Sequence, residues 1–351
     1  MVTKNIIQPV IIIPIPSPHC NENWNYQRLG RDWNCDCSEG KEQSPIDLPT
    51  IDKALDSPIR PMFEYEEVIV KSTLNTIEGQ MRENQNLKLE LVNGALKIFH
   101  SNLGKIITLD GAIYHAQELT IHTPAEHKID GKRYDMEVQI IHYGQTKGDI
   151  AKQVILSFLF EKRAGLYNKF IDDLDIFNLP NPLTKSVDLL NNLYIPKILY
   201  AADDQEIPLM KPFSFFTYQG SISFPPCTEK TIIYVASKPL YIGTTALQLF
   251  QEALRVPDII NGKGDVIVSN WIPNSSRHVQ PLNGRPVFHY NHEKYCGPDP
   301  LRVPPRPVGH YEKIQKSLVK YFYVHDKEPS GLPGAFVVSE NEALGKPLNL
   351  L

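Results

Sequence analysis

The sequence has no apolar run long enough to cross a membrane as a helix. Its most apolar stretch, Ile6 to Pro16, falls well short of the roughly 20 residues a span needs, and Pro9, Pro14 and Pro16 interrupt it. Those prolines also break the core of a secretory leader, and no small-residue cleavage pattern follows. The Arg- and Ser-rich character of a transit peptide is missing as well. The expectation is an extended apolar arm over 1–20, because proline holds itself and the residue before it out of the helical region. A basic excess is also lacking. Lys plus Arg number 36 against 40 Asp plus Glu, a net charge of −4. That excludes a nucleic-acid binder working by phosphate neutralisation. Glycine is scarce beside proline, 20 against 29, which does not suit a long helical bundle. No C-x-x-C pair occurs among the five cysteines: Cys35 and Cys37 are one residue apart, and Cys20, Cys227 and Cys296 stand alone. A zinc ribbon is excluded, and the odd number leaves at least one thiol unpaired within the chain.

What is present is strand. The 351 residues are 42% hydrophobic and 22% charged, enough to bury a large core. From Phe63 to Phe160 short apolar runs recur between Gly, Asn and Asp: Val68–Val70, Leu87–Val92, Leu96–Phe99, Ile106–Leu109, Glu118–His122, Met136–His142 and Val154–Phe160. Their length and period mark buried strands. Asn93-Gly94 between two of them predicts a hairpin. Phe213–Tyr218 and Thr231–Ser237 add strands, and a short helix broken by Pro180 and Pro182 is expected within Asp173–Leu190. Thr244–Leu254 predicts an amphipathic helix with Thr244 or Thr245 as its cap. Beyond Tyr290 prolines crowd residues 298–307, and a short amphipathic stretch, Tyr311–Phe322, follows with Lys313, Lys316 and Lys320 largely on its polar side. The domain expectation is therefore an arm over 1–20, one mainly β domain over 21–290 and a Pro-rich extension over 291–351.

His115, His122, His127 and His142 lie within 28 residues. A metal site on a strand commonly uses two His at i and i+2, since alternate side chains share a face. No such pair exists here: Thr120 precedes His122 by two and Pro124 follows it by two. Each histidine taken alone reads as a hydrogen-bonded core residue.

Longer blocks carry more information. Gln43-Ser44-Pro45-Ile46-Asp47 follows Trp24 and Tyr26. Glu118 to Gly131 reads ELTIHTPAEHKIDG, and Met136 to Tyr143 reads MEVQIIHY. Tyr218 to Glu229 reads YQGSISFPPCTE, and Arg277 to Arg285 reads RHVQPLNGR. These five blocks, in this order over about 20–290, resemble the α-type carbonic anhydrases. The resemblance implies a mainly β (α+β) fold with a large twisted central sheet, mostly antiparallel, and short peripheral helices. It also implies where the family's three zinc-binding histidines fall: on Thr120, His122 and Gln139. One imidazole remains. The hydroxyl that orients the zinc-bound hydroxide falls on Ser223, its glutamate partner on Glu126, and the orienter of the third ligand on Glu137. The region of the family's proton-shuttling histidine reads Asn84-Gln85-Asn86.

Catalytic zinc needs three protein ligands and an open position, and it brings the pKa of bound water down to about 7. A threonine hydroxyl and a glutamine amide do not replace two imidazoles. The expectation is that zinc is lost, that no cofactor is bound and that CO₂ is not hydrated. The chain then serves as a structural or interaction subunit of a larger assembly, engaging other protein subunits through its arm and extension. Two alternatives stand beside this. One is an active zinc hydratase with an atypical site recruiting His115 or His127. The other is a pseudoenzyme binding a small polar or glycan group in an emptied cleft rimmed by Thr120, His122, Gln139 and Ser223.

The resemblance also places Cys227 where many members carry a disulfide to a cysteine shortly before the Gln43 block. Cys37 is nearer that spacing and Cys35 is the alternative partner. Closing so long a loop stabilises by ~3–5 kcal/mol in the chain-entropy model. Such a bridge implies an oxidising compartment. The mitochondrial intermembrane space is favoured, with secretion as the alternative.

Overall fold

The reversal at Asn93-Gly94 sets the first long strand pair, β1 (Lys88–Val92) and β2 (Ala95–Ile107). Asn93 has φ 51° and Gly94 φ 86°, the two positive values that a tight hairpin turn demands. Leu91 pairs with Leu96 and Val92 with Ala95. The run expected at Leu96–Phe99 and the first half of that at Ile106–Leu109 are parts of this one strand, which ends at Ile107 and has an irregularity between Phe99 and Gly104. Gly104 has φ 129°, and a side chain there would meet the Glu64 carbonyl at 2.5 Å. Glycine therefore lets the strand pass through and keep pairing.

The structure is a computed structural model that describes residues 24–70, 87–144, 151–200, 210–254, 259–260, 266–267 and 274–296. The arm over 1–20, Asn84–Asn86, and the prolines and Tyr311–Phe322 stretch of the extension lie outside the described residues.

Five further strands complete the centre: β3 (Ile113–His122), β4 (Met136–Gly144), β5 (Gln153–Lys162), β6 (Phe215–Ser221) and β7 (Glu229–Ala236). Their order is β1-β2-β3-β4-β5-β7-β6. Every neighbouring pair in that path is antiparallel except β5 and β7. Ser186–Asp188 extends the sheet beside β1, and Phe288–Tyr290 followed by Leu55–Asp56 extends it beyond β6. With Met62–Tyr65 on β2 and Leu240–Ile242 on β5, the sheet has twelve strands. The mainly β, mostly antiparallel architecture is the one the chain adopts.

Both faces of the centre are buried. Leu119, Ile121, Val138, Ile140, Leu156 and Phe158 pack on one side. Ile141, Tyr143, Ile155, Leu159, Phe216 and Val235 pack on the other. That is why these strands read as continuous apolar runs rather than alternating ones.

Short helices lie around the sheet: α1 (Asp36–Glu39), α2 (Lys169–Asp173) and α3 (Thr244–Ala253). α3 buries Ala246, Leu247, Phe250 and Ala253 on one face, but its N-cap is Gly243 and no threonine side chain caps it. Within Asp173–Leu190 a short 3-10 helix forms at Ile176–Asn178, ahead of Pro180, while the α-helix α2 lies just before that segment. Asn168 accepts from the Phe170 and Ile171 amides, so helix starts there. Pro180 and Pro182 follow in irregular chain. Val68–Val70 is not a strand: Val68 makes a single bridge to Leu193.

Candidate functional site

Strand periodicity assembles the site. Glu118, Thr120 and His122 share one face of β3, and Glu137 and Gln139 share that face of β4. Register sets Lys97 of β2 opposite Thr120, Thr120 opposite Gln139, and Gln139 opposite Ser157 of β5. A polar row thus crosses four strands. No member of the group Thr120, His122, Gln139, Glu126, Glu137 and Ser223 is more than 1% exposed. These residues do not rim an open cleft. They are enclosed.

Each is tied to its neighbours. Gln139 Nε2 donates to Glu126 Oε2 and to Glu137 Oε1, both at 2.9 Å. Thr120 Oγ1 donates to Glu118 Oε1 at 3.2 Å. The implied pairing of Ser223 with Glu126 does not form: Ser223 Oγ donates weakly to Gln139 Oε1 at 3.5 Å, and Glu126 accepts from Gln139 and from the Arg277 amide at 2.8 Å. The glutamine amide lies between the two groups and separates them. His122 Nδ1 donates to the Ser275 carbonyl. Its Nε2 stands 3.5 Å from Glu126 Oε2 and makes no hydrogen bond.

Glu137 is the best-satisfied group. It accepts from the Glu126 and His127 amides at 2.8 Å each, from His127 Nδ1 at 2.7 Å, from Gln139 and from Ser157. Burial pushes its carboxyl up, but the His127 charge and the hydrogen bonds from His127 and Ser157 outweigh that and hold it well below the usual carboxylate range. His127 has no nitrogen to spare, since its Nε2 meets the Tyr218 hydroxyl at 2.7 Å. His115 pairs in register with Tyr143, four residues along β4 from Gln139, or about 13 Å at strand spacing. Neither histidine is brought to His122 as a metal ligand.

Lys97 belongs to none of the motif blocks, and the roles of Glu118, Tyr143 and Arg277 were not implied by theirs. Lys97 Nζ lies 2.6 Å from Glu118 Oε1, both side chains buried, and 3.4 Å from the centre of the Phe224 ring. Tyr143 donates to the other Glu118 oxygen at 3.1 Å. Arg277, fully buried, donates to Gln43 Oε1, Ser44 O and Cys37 O. Burial pulls its guanidinium down to about 10, against the opposing pull of Glu126. It therefore stays charged at neutral pH. The sequence did hold one signal for Lys97: a lysine between Leu96 and Ile98 in a strand buried on both faces requires a buried partner.

Zinc binds imidazole, thiolate or carboxylate donors in a tetrahedral set. At the three positions implied by the resemblance, the hydroxyl is engaged with Glu118 and the amide with two glutamates. A single imidazole lone pair is left. Among the described residues no group of three or more His, Cys, Asp or Glu side chains is arranged to hold a metal ion. The residues present do not fit a zinc ion.

α1 carries Cys37, which is bonded to Cys227 across 190 residues of sequence. Cys35 is therefore not the partner of Cys227; it is itself disulfide-bonded. Cys35 is half-buried at the start of α1, whereas Cys37 is buried and its carbonyl accepts from Arg277. Cys296 is free and half-buried.

A twelve-stranded sheet with a buried polar site across its central strands is the scaffold of an α-type carbonic anhydrase. The family model for eukaryotic-type carbonic anhydrase matches residues 21–291, and the chain belongs to that family. Dioscorin dioA3 of Dioscorea japonica is 25% identical over 278 residues, which cover 79% of this chain and 85% of that protein. Among solved structures, dioscorin complexed with ascorbate is similar at a TM-score of 0.54 and 22% identity, covering 73% of this chain and 88% of that one. The α-carbonic anhydrase of Thermovibrio ammonificans, in complex with sulfanilamide, is similar at a TM-score of 0.54 and 21% identity, covering 76% and 98%. The disulfide fits an oxidising compartment or secretion. Among the described residues no helix is long and apolar enough to cross a membrane.

Proposed function

We propose that this chain is a carbonic anhydrase-like protein that does not hydrate CO₂, binds no zinc, and serves as a structural or interaction subunit of a larger assembly. The observation that carries the first part is the Gln139 amide. It sits in register opposite Thr120 and is spent on Glu126 and Glu137. With one imidazole facing it and every neighbour enclosed, the site holds no group that makes hydroxide from water at neutral pH.

Support for the assembly role comes from surface and sequence. Between Tyr167 and Leu190 the chain leaves Phe177 82%, Leu183 85% and Leu190 71% exposed. Large apolar side chains left in water on one short segment suit burial against a partner. The apolar arm and the Pro-rich extension have the same character, since such segments lose little entropy on ordering. The intermembrane space of mitochondria is the compartment we favour, as an oxidising one.

Two outcomes are expected from the full chain. Stopped-flow CO₂ hydration runs at the uncatalysed rate, with or without added zinc. A zinc-dependent rate above that background contradicts the reading. In native extract the protein migrates at a mass well above that of its own chain. Migration as a lone monomer contradicts the assembly role.

A further inference from the structure

Lys97 lies outside the five blocks that carry the resemblance, yet its buried pair with Glu118 adjoins the site directly. Lys97 is the cross-strand neighbour of Thr120, and paired side chains on neighbouring strands start about 5 Å apart. Lys97 Nζ and Thr120 Oγ1 converge on one oxygen, Glu118 Oε1, at 2.6 and 3.2 Å. Tyr143 takes the other oxygen. The Phe224 ring covers the ammonium at 3.4 Å from its centre, and Phe224 is the residue after Ser223. The ammonium is thus fixed by a carboxylate and an aromatic face, at the position next to where a ligand at 120 would reach.

We propose that Lys97 is the resident cation of this site and keeps divalent metal out of it. The inference rests on the metal-free reading above and adds a cause to it: two missing imidazoles are not the whole barrier. Glu118 already has its counter-charge. A divalent ion beside position 120 would lie within several ångströms of a fixed ammonium in a water-poor interior, where charges interact strongly. Restoring the imidazoles alone therefore leaves a poor zinc site. Restoring them and removing the ammonium makes a good one, with Glu118 free to offset the ion's charge.

The test compares Zn²⁺ affinities by equilibrium dialysis against a competing chelator, with Co²⁺ absorption as the check on tetrahedral binding. The full-chain variants are T120H/Q139H and T120H/Q139H/K97M. The second is expected to bind Zn²⁺ about a hundredfold tighter or more. Equal affinities overturn the proposal, and so does failure of both to bind. If T120H/Q139H/K97M does not fold because Glu118 is left buried without a partner, T120H/Q139H/K97M/E118Q takes its place against T120H/Q139H, with the same two outcomes. Removing both members of a buried ion pair is often tolerated. The unsubstituted chain separates the two readings. Stoichiometric zinc there contradicts the metal-free site, whereas equal affinities of the variants contradict only the role of Lys97.

Discussion

Glu137→Ala is expected to lose roughly 3–5 kcal/mol of stability, the cost of leaving buried donors without their charged acceptor. The side chain organises the centre of the domain. It receives the Glu126 and His127 amides, the His127 ring, the Gln139 amide and the Ser157 hydroxyl. Those five donors come from β4, β5 and the turn after β3. Without the carboxylate, the two amides, the His127 ring and the Ser157 hydroxyl lose their charged acceptor in a fully buried site, while Gln139 keeps Glu126. The pH dependence separates this charge from simple packing. Because the folded carboxyl titrates below its ordinary value of 4.5, the unfolded chain takes up a proton first as pH falls. The stability from Glu137 is therefore fully present above about pH 4.5 and drains away as pH drops toward the folded value. Urea unfolding of the parent chain should weaken steeply below pH 4.5, and that of Glu137→Ala should be flatter over the same range. A loss under about 1 kcal/mol, or identical acid profiles, contradicts this role.

Breaking the Cys37–Cys227 bridge has the second large effect. The bond closes a loop of 190 residues, and a loop of that length corresponds to about 5 kcal/mol in the chain-entropy model. C37A/C227A should therefore unfold on the order of 10–20 °C lower than the parent. The damage reaches the site by a short path. The Cys37 carbonyl accepts from Arg277, and the Arg277 amide in turn holds Glu126. Loosening α1 thus removes one of the three acceptors that hold the guanidinium of the arginine whose amide fixes the glutamate beside His122. Thermal unfolding with and without reductant measures this directly. A parent chain whose midpoint is unmoved by reduction contradicts it.

The strands of this protein were legible because their chemistry is local. Asn93-Gly94 specifies a reversal by backbone sterics alone, and the runs at Glu118–His122, Met136–His142 and Val154–Phe160 are buried on both faces, so they stay apolar throughout. The helix at Thr244–Ala253 was legible through its periodicity. Its cap was not, because a threonine beside a helix start bonds the backbone only if the chain direction allows it, and Gly243 occupies the position instead. Within Asp173–Leu190 the expected short helix is a single 3-10 turn at Ile176–Asn178, and the α-helix before it was not legible. Pro180 and Pro182 marked where helix must stop, but the Asn168 cap decided where it began.

Within the site, Thr120, His122 and Gln139, with Glu126, Glu137 and Ser223 beside them, were legible through the motif resemblance, and their cross-strand and loop neighbours were not. Long-range pairing brings Lys97 to Thr120, Ser157 to Gln139 and Ser275 to His122. No spacing in the chain encodes those meetings. The closure of the site was also invisible. A residue series with two ligands removed reads equally as an empty cleft or a filled one, and only the placement of Lys97, Phe224 and Tyr143 decides that it is filled. The disulfide illustrates the same limit. Cys35 and Cys37 are near neighbours in sequence, but only Cys37 lies on the buried side of α1.

The zinc content of the purified full chain, measured after equilibration with excess zinc and removal of unbound metal, bears most directly on the central claim. The expected result is no stoichiometric zinc. One zinc ion per chain, bonded to His122 Nε2, would contradict it.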